Sequence, residues 1–280
     1  MASVAPNEAA GAPRANSLFA HDLWLEFFVL FNFAFLSGDI VLAHSENGFR
    51  LRVEYFPIWF SLGATVLLAL ALIMRLGFRG QSAWSGIGHL VGWASIAVGT
   101  AGVIYHLDSR FFYERTLKSL TYAAPFVAPL SFVGVGCLLI MNRMVDPREK
   151  DWSQWVLFFT LGGFVGNFGL SLTDHAINGF FAWEEWIPVV SSAFAVGFLA
   201  ALMAESANGK LLWWTAGVLF VQMLVSGLGF LLHALADLHG PAVSLLPNII
   251  HGAPPFAPLL LANLAVLGFL GLVALARAGA

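Results

Sequence analysis

Long apolar runs, interrupted at short intervals by clusters of polar residues, set the pattern of this chain. Eight runs approach the roughly 20 residues that a membrane-spanning helix needs. They are Trp24–Ala43, Phe56–Met74, Ile87–Tyr105, Ala123–Met141, Trp155–Thr173, Ile187–Ala204, Leu211–Leu232 and Phe256–Ala276. The connections are short, which favours antiparallel neighbours in one bundle and leaves no room for a soluble domain. The pattern predicts an all-α polytopic membrane protein with eight transmembrane helices. Residues 1–20, rich in Ala, Pro and Asn, read as a disordered tail. They lack a basic stretch, a short apolar core and a small-residue cleavage site, so the first run is expected to be a retained span.

The polar punctuation repeats. Trp24–Ile58 aligns with Trp155–Val189 at a constant offset of 131, with 12 of 35 positions identical. The shared string is His-x-x-Asn-Gly-Phe-x4-Glu-[Tyr/Trp]-x-Pro, from His44 to Pro57 and from His175 to Pro188. Two unrelated apolar helices match readily in Leu and Phe. They do not readily match in His, Asn, Gly, Glu and Pro in one register. A weaker correspondence sets Gly102–His106 against Gly229–His233, and Tyr122–Pro129 against His251–Pro258. The expected organisation is 4+4, two tandem four-helix units at 21–145 and 146–280. An even number of spans per unit gives both the same orientation.

That topology gathers six of the eight histidines at one face: His44, His106, His175, His233, His239 and His251. Glu54 and Glu185 join them. Asp39 lies about 7.5 Å deeper than His44 at 1.5 Å rise per residue, and an intramembrane carboxylate is by default a functional candidate. Local rules cover part of the string. Asn-Gly stops a helix, Glu followed by Pro starts one, and His suits a helix C-terminus. None of these requires His on the first and third helices of both units. Glu26 and His89 read as packing or interfacial residues near the opposite face, and His21 as part of the tail. The loop Arg110–Lys118 reads as one amphipathic surface helix.

Charge adds orientation. Eight Lys/Arg fall on the side of the termini and five on the histidine side, so the positive-inside rule places both termini in the cytoplasm and the histidine face outside an inner (plasma) membrane. Composition then removes whole classes of function. Hydrophobic residues make up 59% and charged ones 10%, against roughly 25% charged in soluble domains. Mean hydropathy is +0.81. A soluble enzyme, a disordered chain and a nucleic-acid binder are excluded. The single Cys137 excludes an internal disulfide or a Cys-rich metal site. Phosphate-loop, zinc-protease and nucleophile-elbow motifs are absent.

What remains is chemistry on imidazoles and carboxylates. Paired histidines from the first and third helices of a four-helix unit can hold haem b or a transition metal ion. The expected cofactor ligands are His44, His106, His175 and His233. The second unit offers His175, His233, His239 and His251 as a metal set. Asp39, Glu54, Asp174 and Glu185 would carry protons or orient the rings. The expectation is a membrane redox or electron-transfer protein facing the lipid bilayer, with a quinone or a redox protein as partner. The alternative is a transporter, or a non-catalytic subunit of a membrane complex.

Overall fold

The computed structural model describes residues 21–77, 81–205 and 208–278. The 1–20 tail, with Arg14, lies outside them, as does Arg79. All regular structure among the described residues is helical. Helix α1 is His21–Ser45, α2 Phe56–Gly77, α3 Gln81–Asp108, α4 Phe111–Glu114, α5 Leu117–Thr121 and α6 Leu130–Met144. Then come α7 Lys150–Ile177, α8 Trp186–Ala204, α9 Gly209–Leu238, α10 Leu245–His251 and α11 Leu259–Ala278. Seven of these (α1, α2, α3, α7, α8, α9 and α11) are long and apolar enough to cross a membrane.

Their faces follow the logic of a lipid solvent. Helix α2 turns Trp59, Val66 and Ile73 outward and buries Ser61, Ala64 and Ala71. Large apolar side chains cost nothing against lipid tails, and small ones let helices approach.

Two stretches differ from the hydropathy pattern. The fourth run was expected from Ala123, but α6 starts at Leu130 and has 15 residues. Pro125 and Pro129 lack the N–H a helix needs and bias the preceding residue away from it. At 1.5 Å per residue α6 is about 22 Å long, against a hydrocarbon core of about 30 Å. The loop expected as one amphipathic helix is two short ones, α4 and α5, parted by Arg115 in the left-handed region at φ 52°. Helix α10 occupies a stretch the pattern leaves as loop.

The long helices close two rings. In one, α1 packs on α2, α2 on α3, α3 on α6 and α6 on α1. In the other, α7 packs on α8, α8 on α9, α9 on α11 and α11 on α7. The rings meet along two seams, α6 against α7 and α1 against α11. Two buried clusters form the core: one around Phe33, Leu68 and Leu138 that also takes in Trp152 and Val156 of α7 and Leu267 and Ala274 of α11, the other around Phe164, Leu199 and Leu219. Midway along the α1/α11 seam, the amides of Asn32 and Asn263 bond reciprocally at 3.2 and 2.7 Å.

At the end opposite the histidines, the first ring buries charge. Arg75 pairs with Asp22. Arg143 grips both carboxylate oxygens of Glu26 at 2.8 and 3.0 Å. Asn142 donates to Glu26 at 2.7 Å and accepts from the Trp152 indole at 3.0 Å. The Trp84 ring lies under both guanidinium groups, 4.8 Å from Arg75 and 4.9 Å from Arg143. Glu26 is therefore an ion-pair centre rather than the packing residue its position suggested. His21 belongs to the first turn of α1 and not to the tail, with its Nε2 3.3 Å from Arg277.

Candidate functional site

Each histidine is placed by a helix terminus whose local chemistry is visible in sequence. Helix α1 ends on Gly48 at φ 69° and Phe49 at φ 53°, and α7 on Gly179 at φ 76° and Phe180 at φ 50°. Glycine takes that conformation freely; phenylalanine does not, at roughly 1–2 kcal/mol. The cost is offset in the same way both times. The Phe49 N–H donates to the His44 carbonyl at 3.2 Å, and that of Phe180 to the His175 carbonyl at 3.1 Å. The Phe49 ring stacks on Tyr55 at 4.5 Å, and Phe180 on Trp186 at 4.0 Å. The reversed chain then brings Glu54 back to His44 and Glu185 back to His175.

The third helix of each ring is placed by close approach. A Cβ on Gly102 would sit 2.8 Å from the Pro129 Cβ, and one on Gly229 would sit 2.8 Å from that of Pro258. Without side chains there, α3 and α9 lie against the proline turns that precede α6 and α11. One helical turn further on, His106 Nδ1 donates to the Pro125 carbonyl at 2.9 Å, and His233 Nδ1 to the Pro254 carbonyl at 2.8 Å.

The four histidines are held in two ways, each repeated in both units. His44 Nδ1 faces Glu54 Oε2 at 3.4 Å, and His175 Nδ1 faces Glu185 Oε2 at 3.7 Å. The other two Nδ1 atoms are held by carbonyls. In the neutral ring, a proton on Nδ1 leaves Nε2 as the free lone pair. The two rings of the first pair stand together: His44 and His106 are 6.2 Å apart centre to centre, with planes at 81°.

The second pair opens onto a cavity of about 570 Å³, bounded by α7, the start of α8, the end of α9 and the α10–α11 connection. His175, His233 and His251 line it, with Asp174, Glu184 and Glu185. Asn167, Ser171, Asp174 and His175 form one stripe on α7, at helical spacings of four, three and one. Asn167 is the deep end, about 12 Å below His175 at 1.5 Å per residue. It is 4% exposed, and its Nδ2 has no hydrogen-bond partner.

Other candidates fall elsewhere. Asp39 is half-buried on α1, and five residues turn it about 140° from His44. His239 follows α9, exposed, its Nδ1 on the Leu235 carbonyl at 2.8 Å. It does not line the cavity with His175, His233 and His251. Among the described residues, no three His, Cys, Asp or Glu side chains stand close enough together to share a metal ion. The residues that sequence reading passed over as a group are Asn167, Ser171 and Glu184. The signal was available: read at helical spacing, α7 carries a polar stripe inside an apolar span.

Compared with known protein families, curated proteins and solved structures, the chain matches none.

Proposed function

We propose that this chain is an electron-transfer protein of the inner (plasma) membrane that holds haem b between paired imidazoles. In this reading eight helices span the bilayer as a tandem duplication of one four-helix unit, the short α6 crossing together with the turn before it. Both termini are cytoplasmic and the histidine end lies outside, as the Lys/Arg bias favours. The observation that carries the reading is the matched placement of the histidines: a carbonyl takes Nδ1 of His106 and His233, and a carboxylate faces Nδ1 of His44 and His175. Holding Nδ1 with a carboxylate or carbonyl is how proteins present Nε2 to a metal.

Ligand count favours haem over a bare ion. A metal about 2.0–2.1 Å from each imidazole nitrogen puts two ring centres roughly 6 Å apart, as His44 and His106 stand. A bare transition ion wants three or four protein ligands, whereas haem brings its own equatorial nitrogens and asks only for two axial ones. His44 and His106 are the leading pair, and Glu54 the group that sets the His44 tautomer.

The test is an absorption spectrum of detergent-purified protein, oxidised and then dithionite-reduced, with metal analysis of the same sample. A Soret band with sharpened reduced α-bands is expected. His106→Ala should abolish it, and His89→Ala, remote from the site, should leave it unchanged. A featureless spectrum and a blank metal analysis would overturn the reading in favour of a transporter or a structural subunit.

A further inference from the structure

The two units differ where they should matter most. On α1, the positions equivalent to Asn167, Ser171 and Asp174 are Leu36, Ile40 and Ala43. The polar stripe is a feature of the second unit's own sequence. An apolar groove lies beside the cavity. Ile187 and Val225 line both, and the groove, of about 730 Å³, lies between α8 and α9. Trp183, Trp186 and Trp214 border that groove.

A polar chamber that shares the Ile187 and Val225 wall with an apolar groove suits a molecule with a compact head and a long tail, those two side chains turning aside to let the tail pass. The lining chooses the head. No Lys or Arg lines the chamber, while Asp174, Glu184 and Glu185 do, so a phosphate head would meet three carboxylates and no permanent cation. A cationic head would satisfy Asp174 and Glu185, whose Oε2 is also buried without a partner, but would leave the deeper Asn167 Nδ2 without an acceptor, and a buried unpaired donor is costly. An uncharged head with a carbonyl oxygen answers Asn167. In its reduced form, the same oxygen carries a hydroxyl that can donate to Asp174 or to the free Nε2 of His233.

We propose that the second unit binds an isoprenoid quinone, its ring in the chamber against Asn167, Asp174 and His233 and its tail in the α8/α9 groove. The ligand enters sideways from the bilayer. One unit then keeps a cofactor pair and the other a substrate site. Only the source and destination of the electrons rest on the haem reading; binding does not.

The experiment uses the full chain in phosphatidylcholine nanodiscs and a photoreactive azido-quinone with a decyl tail, the labelled peptides being mapped by mass spectrometry. Labelling should saturate, fall on peptides from α7 and α8, and be suppressed by excess decyl-quinone. Replacing the stripe with the first unit's residues, Asn167→Leu with Ser171→Ile and Asp174→Ala, should lower labelling at least tenfold. Asn167→Leu alone serves should the triple variant fail to fold. Three results would each overturn the proposal: labelling that rises linearly with probe, labelling displaced by dodecylphosphocholine, or labelling unchanged in the variants. The absorption spectrum of the same sample reports separately on haem, so either reading can fail without the other.

Discussion

At the scale of single residues, the buried ion pairs show how closely a side chain depends on what lies beside it. The Arg143 side chain is fully buried on Glu26, and a Cβ on Gly88 would run into its guanidinium. Removing one member of such a pair strands the other charge. Arg143→Met is expected to destabilise the protein by about 3–5 kcal/mol, read as a lowered denaturation midpoint in detergent. The second unit carries Leu157 and Leu272 at the positions of Glu26 and Arg143. The double variant Glu26→Leu with Arg143→Leu should therefore recover most of the loss, and a double variant no better than Arg143→Met would show that the pair contributes net stability. None of this was legible in the sequence. Glu26 and Arg143 are 117 positions apart, and no local pattern joins them.

At the scale of elements, helix ends were the readable part. The His-x-x-Asn-Gly-Phe string stated the stop of the first helix, because the stop is local backbone chemistry. Proline turns were harder. Hydropathy carries straight through Ala123–Pro129, whereas the missing N–H groups delay α6 to Leu130. The glycines facing those turns are testable. Gly229→Ala puts a methyl group against the rigid Pro258 ring and should cost about 1–3 kcal/mol by overpacking. Gly217→Ala, on the same helix with nothing within 4 Å, should be neutral or stabilising by about 0.5–1 kcal/mol. Equal midpoints for the two variants would contradict the close approach of α9 to the turn before α11.

At the scale of the molecule, the helical membrane class was legible from composition and run length, since lipid demands both. How the rings join was not, because seam contacts depend on which residues meet across distant helices. The orientation has its own check. In a Cys137→Ala background, a cysteine at exposed Glu46 should react with an impermeant maleimide in intact cells. Reaction only after lysis would reverse the assignment.

The two seams also differ from each other. Asn32 and Asn263 clasp across α1 and α11, but their counterparts on α7 and α6 are Gly163 and Gly134, which have no side chains to clasp. A dimer of identical chains would have to build both seams alike. A single chain bearing both units is released from that symmetry. It pins one joint at mid-depth and leaves the other unpinned at that level, so stiffness around the molecule is lopsided. The α6/α7 joint is clasped instead near its end, where the Trp152 indole donates to Asn142, so any rocking of one bundle against the other should turn about the line between the two clasps.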